Sequence, residues 1–200
     1  MENKRQHKIL TVIVLSFLVV ILFLGEQRFH HRLRINVFSN NNIKELKKYT
    51  YKGELADGVS CIIPREWEVR NIKLDNKRNE GLLQYDNFQS SENGIYGYVK
   101  IWTDNIKLED LLHNDMEVCN MQGDIEDYQQ EDIKFDKFKG YKVTYNMKTV
   151  HGDDFRVQEY FIKGKNKCIK FNFTKEEKVF RESDDRIFNT IVETVEVNNI

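Results

Sequence analysis

A single proline, Pro64, interrupts 200 residues rich in Asn, Lys and Ile. That bias is of the kind an AT-rich genome imposes, so the Asn clusters carry little structural information. Neither the nucleophile motif G-x-S-x-G nor the phosphate-binding run G-x-x-x-x-G-K-[ST] occurs, and no cysteine has a histidine beside it in sequence. The residues therefore encode no recognisable catalytic apparatus, and no cofactor is implied. The three cysteines, Cys61, Cys119 and Cys168, are an odd number without metal-like spacing. At most one disulfide closes within a chain. The simplest reading is three small buried hydrophobes; if a bridge forms, Cys61 and Cys168, both on predicted strands, are the favoured pair. A basic footprint is also missing from the folded part. Of 31 basic and 32 acidic side chains, six and two fall in residues 1–43, leaving 25 against 30, a net charge of −5, in residues 44–200. Nucleic acid, whose backbone demands clustered cations, is disfavoured as a partner.

Long apolar runs are scarce too, with one exception. Ile9 to Leu24 is apolar apart from Thr11 and Ser16, with Lys4, Arg5 and Lys8 before it and Arg28, Arg32 and Arg34 after it. As a helix it would reach roughly 24 Å, near the short end for a hydrocarbon core of about 30 Å. Two readings are open, an uncleaved anchor and a secretory signal. Leu22 to Glu26 offers only Gly25 as a small residue for signal peptidase and no cysteine for lipid attachment, which favours the anchor. The expected organisation is a cytoplasmic N-terminus over residues 1–8, a transmembrane anchor in the lipid bilayer over 9–25, a tether over 26–48 and one extracytoplasmic domain over 49–200. Lys and Arg are balanced across the run, so orientation rests on the short N-terminus ahead of a lone signal-like segment, which stays inside. The expected location is the cell membrane, single-pass, with the C-terminal domain outside.

The composition, 40% hydrophobic and 32% charged, fits one packed domain. Ser39 to Asn42 is a polar break, and Ile43 to Lys48 reads as one helical turn. Tyr49 to Tyr51 and Val59 to Ile63 are β-prone runs separated by Gly53 and Asp57-Gly58, a hairpin-like opening. Trp67 to Ile72 alternates, Asp75 to Asn79 reads as a turn, and Gly81 to Tyr85 and Ile95 to Trp102 read as strands around the loop Ser90 to Gly94. The period then changes. Leu108, Leu111, Leu112 and Met116 lie on one face of a predicted helix, with Asp104 or Asn105 available as its N-cap. Tyr141, Val143, Tyr145 and Met147 alternate with polar residues, and Phe155, Val157, Phe161 and Ile169, Phe171, Phe173 continue the pattern, all on odd numbers. Odd residues face odd residues only across loops of odd length, so such loops are predicted around Gly152 and Gly164. The even face, with Arg156, Gln158, Lys170 and Asn172, reads as partly solvated or thinly covered. Thr174 to Glu177 matches a capping box for a last helix, which Ser183 to Asp185 restart after a kink.

Asp57 to Val69, with its strand, Pro64 and Trp67, resembles the opening of the PsbP-like superfamily. Gly140 to Tyr145, Glu159 to Ile162, Cys168 to Phe171 and Phe188 to Val192 follow in the order of that family, so the resemblance covers roughly residues 49–197. It implies an α+β fold, an antiparallel sheet flanked by helices as an α/β/α sandwich. It also implies an extracytoplasmic, membrane-anchored or lumenal accessory protein without catalytic residues, several relatives acting in assembly of membrane complexes. The metal-site histidines of the photosynthetic members have no counterparts here.

Of five histidines, His7, His30 and His31 flank the anchor, His113 reads as exposed on the helix, and His151-Gly152-Asp153-Asp154 reads as a hairpin turn rather than a metal cluster. The carboxylates Asp124, Glu126, Asp127, Glu131 and Asp132 lack the pattern of a calcium loop and read as a solvated acidic loop. The expected function is a non-catalytic interaction or assembly module with a protein partner at the cell surface. The alternatives are a binder of a small apolar or lipid-like ligand and a hydrolase with an unrecognised site. Trp67, Trp102, Tyr160 and Ile162 are the candidate partner-binding residues, because large aromatics dominate binding hot spots.

Overall fold

The computed structural model describes residues 45–51, 58–74, 81–135, 138–164 and 166–197. The anchor, most of the tether, the flanking histidines, Gly53, Asp57 and the turn at 75–79 lie outside the described residues. Among the described residues no helix is long and apolar enough to cross a membrane.

Among the described residues, alternation of branched and aromatic residues produces ten strands: β1 Leu46–Thr50, β2 Val59–Pro64, β3 Glu68–Asn71, β4 Leu82–Ser90, β5 Ile95–Thr103, β6 Gly123–Lys134, β7 Lys139–Thr149, β8 Asp154–Lys163, β9 Lys167–Glu176 and β10 Glu196–Val197. Among the described residues two α-helices, α1 Leu108–Gln122 and α2 Glu182–Glu193, and one 3-10 turn, Glu177–Val179, interrupt them. Every strand pairing is antiparallel. Seven strands form the main sheet in the order β3-β4-β5-β9-β8-β7-β6, and β1-β2-β10 form a small second sheet. The antiparallel sheet and the helix on each face agree with expectation, and β1 with β2 is the expected opening pair.

Register decides which side chains meet. Across β7 and β8, Tyr141 faces Phe161 and Tyr145 faces Val157, odd against odd, with Gly152 at φ 86° in the turn between them. That expectation holds. Across β8 and β9 it fails. Lys163 pairs with Cys168, odd against even, so Phe161 faces Lys170 and Tyr160 faces Phe171. The reason is that both faces of these strands are buried, so apolar residues on odd positions do not mark one common face. Val143, Tyr145, Val157, Phe161 and Cys168 pack with Leu108 and Cys119 of α1. On the opposite face Phe173 stacks on Phe188 of α2 with centroids 4.4 Å apart, and Trp67 stacks on Phe88 at 5.2 Å. Each such side chain contributes about 1.5–3 kcal/mol through burial.

Other boundaries differ for local reasons. Residues 46–48, expected in a helical turn of the tether, belong to β1, because pairing with Ile62 to Pro64 satisfies their backbone. β4 continues past Tyr85 to Ser90. α1 starts after an extended Lys107 without a side-chain cap, so Asp104 and Asn105 do not cap it. Of the expected capping box, Thr174 to Glu176 are the end of strand β9 and Glu177 opens a short 3-10 turn. α2 begins at Glu182, where the Arg181 amide donates to Asp184 Oδ2 at 2.8 Å. The acidic stretch after Gly123 is not a loop; it is the edge strand β6.

Candidate functional site

Two polar places stand out, one closed and one open. The closed one lies between α1 and the sheet. β9 carries Lys170 on the face that α1 covers, opposite Phe161, and β8 carries Glu159 on the same face. Asp115 reaches down from α1. The Lys170 ammonium donates to Asp115 and, at 2.8 Å, to the Tyr98 hydroxyl, and it lies 2.7 Å from Glu159 Oε1. Asn172 Nδ2 donates to Glu159 at 2.8 Å, and Thr174 Oγ1 donates to Asn172 at 3.0 Å. The phenol of Tyr145 lies 3.2 Å from Cys119 Sγ.

Charge in such a place must be neutralised locally. Burial works against the charged form of Lys170, yet Glu159, Tyr98 and Asp115 outweigh it and hold the ammonium above its ordinary range. Burial pushes Glu159 up to about 7, with Lys170 pulling the other way and the Asp115 charge adding to the rise. Burial also tends to raise Asp115, but Lys170 and a hydrogen bond from Glu159 leave it below its ordinary value. One carboxylate, one ammonium and one carboxyl that titrates near neutrality therefore share the site. Asp115, Cys119 and Glu159 place their ligand atoms within 4.8 Å of one another, the spacing a metal ion would need. The Lys170 ammonium already contacts both carboxyls, so it does the work a cation would do. Burial pushes the Cys119 thiol up to about 11, opposite to the activation a nucleophile requires. Chemically, the cluster fixes α1 to the sheet.

The open place is a groove of about 710 Å³ on the other face, beside the start of α2, with Lys142, Arg156 and Gln158 among its lining. Lys142 Nζ lies 2.8 Å from Asp185, which also accepts from Gln158 at 2.9 Å. Arg156 donates to Asn146 at 3.0 Å and makes no ion pair among the described residues. An apolar cavity by Tyr51, Trp67 and Phe171 measures only about 10 Å³.

The residues expected at a docking surface lie elsewhere. Trp67 is 1% exposed and Tyr160 and Ile162 are 0% exposed, and all three are core. Trp102 is half-buried against the α1 cluster. The premise of exposure fails for three of the four because the sheet is covered on both faces. The cysteines do not pair: all three are free and buried, Cys61 lying beside the Tyr51 hydroxyl at 3.4 Å and Cys168 beside Ile106 O at 3.2 Å. His113 is exposed on α1, 3.5 Å from Glu117, as expected. His151 sits in the β7–β8 turn, where the Gly152 amide donates to Thr149 O at 2.9 Å. Sequence reasoning missed the Asp115, Glu159 and Lys170 cluster. Its one signal was Glu159, a charged residue standing in an otherwise apolar odd-numbered series.

No family profile matches the chain, and no curated protein matches it in sequence. In three dimensions it is similar to the solution structure of cyanobacterial PsbP (CyanoP) from Synechocystis sp. PCC 6803, with a TM-score of 0.57 at 16% identity, over 76% of this chain and 92% of that one. The chain has a PsbP-like fold. Two looser likenesses to this PsbP-like domain are a crystal structure from Bacteroides thetaiotaomicron (TM-score 0.48, 14% identity, 76% of this chain and 48% of that one) and LpqN, involved in cell envelope biogenesis of Mycobacterium tuberculosis (TM-score 0.41, 8% identity, 76% and 92%). At these scores neither adds to the fold assignment.

Proposed function

We propose that the PsbP-like domain is a non-catalytic docking module, held outside the cell membrane by the apolar segment 9–25, that engages a protein partner at the cell surface. One observation carries this reading: among the described residues the apolar cavity is only about 10 Å³ and the buried Lys170 cluster is neutralised by its own groups, while the open concavity is wide, polar and mixed in charge. A small apolar or lipid-like ligand needs an enclosed apolar space of several hundred Å³. The apolar cavity of about 10 Å³ supplies nothing of that size. A hydrolase needs a nucleophile beside a base, and Cys119 instead lies against Tyr145 with its thiol raised.

The test is site-specific photocrosslinking of the full-length chain in its native membranes. A photoreactive residue replacing Thr144 in the groove is expected to capture a defined protein, and one replacing His113 on the outer side of α1 is not. Recovery of a stoichiometric lipid with the purified domain, or equal capture from both positions, would overturn the reading.

A further inference from the structure

We propose that the outer edge of β6 accepts an extended, basic segment of the partner protein as an added strand. The inference deepens the docking reading and rests on it. β6 is the last strand of the main sheet and pairs only with β7, so its other side offers backbone donors and acceptors to no strand among the described residues. At twelve residues it is about twice a typical strand. Exposed edges are usually kept short, because an open ladder recruits further strands. The register shift between Glu126 and Gln129, with Asp127 at φ 53°, interrupts the first half of the edge and leaves Gln129 to Lys134 as a regular run.

Charge selects the occupant. β6 carries Asp124, Glu126, Asp127, Glu131 and Asp132 against Lys134 alone. Of the five carboxylates only Glu131 makes an ion pair among the described residues, 3.7 Å from Lys142, and Asp127 accepts from neutral Asn146 at 3.2 Å. Within the regular run the two acids sit on opposite faces. Glu131 lies over the groove with Lys142, whereas Asp132 lies opposite Tyr141, on the face that α1 covers. A strand laid along this edge would thus meet a carboxylate on each side, and its alternate side chains would lie along the groove, where Asp185 is paired with Lys142 and Glu182 with Arg186 and where Arg156 also stands. A second copy of β6 would set acid against acid and be repelled. A segment alternating Lys or Arg with β-branched residues satisfies the backbone and sets its cations, all on one face, against the carboxylate of that face, which is strand addition with electrostatic selection.

The experiment titrates the full-length chain in detergent micelles with a labelled peptide of alternating Lys and Val. A second peptide, N-methylated at alternate residues so that one edge cannot hydrogen-bond, serves as comparison. Binding is expected to slow amide hydrogen exchange within 129–134, to fail for the methylated peptide, and to weaken about tenfold or more in Glu131→Lys/Asp132→Lys. Glu131→Gln/Asp132→Asn, which keeps the shape of the edge, should show a smaller loss in the same direction and guards against misfolding of the reversed variant. Equal binding of the methylated peptide, or unchanged exchange in 129–134, would overturn the proposal. The two readings fail separately. A native partner crosslinked in the groove but absent from β6 removes the strand addition alone, and the absence of any captured protein removes the docking reading even if the peptide binds.

Discussion

The ammonium of Lys170 lies 2.7 Å from the carboxyl of Glu159, and each side chain is only 2% exposed. Two adjacent strands bring them together although eleven positions separate them in sequence. Removing one partner leaves an uncompensated buried charge. Lys170→Met is expected to destabilise the chain by about 3–5 kcal/mol, and adding Glu159→Gln and Asp115→Asn should recover part of that loss. Urea unfolding of the full-length chain in detergent checks both. A single variant within about 0.5 kcal/mol of wild type would show the cluster to be dispensable.

Glu159 also predicts how stability follows pH. Its folded value, raised by burial from an ordinary 4.5 to about 7, exceeds the unfolded one, so the folded state binds more protons between those limits. The contribution is complete below about 4.5 and is lost as pH rises through about 7. Stability should fall across that window with a slope on the order of 1 kcal/mol per pH unit, and Glu159→Gln should flatten it. Asp115, held below its ordinary value by Lys170 against the effect of burial, acts oppositely and only at more acid pH. Unfolding midpoints measured from pH 4.5 to pH 7 decide the matter; a wild-type slope that persists in the glutamine variant would assign it to another group.

Trp67 is wrapped by Phe88 and Phe173, with ring centroids at 5.2 and 6.4 Å. Trp67→Ala should therefore cost about 3–5 kcal/mol. Its indole N–H has no hydrogen-bond partner among the described residues. Trp67→Phe consequently forfeits volume but no hydrogen bond, and should retain more than half of the stability that alanine loses. Thermal unfolding of the two variants separates the contributions. Equal losses would mean that the N–H matters after all.

The thiols should be inert in the folded chain. Burial raises Cys61 to about 12 and Cys119 to about 11, and it raises Cys168 in the same direction. Native protein at pH 8 is expected to take up iodoacetamide at none of the three sites on the time in which urea-unfolded protein is fully modified. Mass spectrometry of both samples gives the count. Rapid native labelling at any one site would mean that its cover opens.

The elements that were legible from the residues are those with a local cause. The alternation from Tyr141 to Met147 produced β7, the spacing of Leu108, Leu111, Leu112 and Met116 produced α1, and the ordered short runs from Val59 to Val192 matched the PsbP-like fold. Ser183 to Asp185, read as restarting a helix after a kink, fall instead at the true start of α2, where the Asp184 carboxylate at the third helical position caps the backbone. The candidate site was not legible. Whether Tyr160 and Ile162 face a partner or the core depends on what covers the even face of β8, while the register of β8 against β9 brings Lys170 and Asn172 onto the face of Phe161 and Glu159. The α-helix over one face and the aromatic packing over the other then bury both sides, so apolar alternation loses its meaning. Lys170, Glu159 and Asp115 look like ordinary solvated charges along the chain. Only the tertiary structure, by closing α1 over two strands paired in one particular register, turned them into a neutralised interior cluster, because burial multiplies charge interactions that water would otherwise screen.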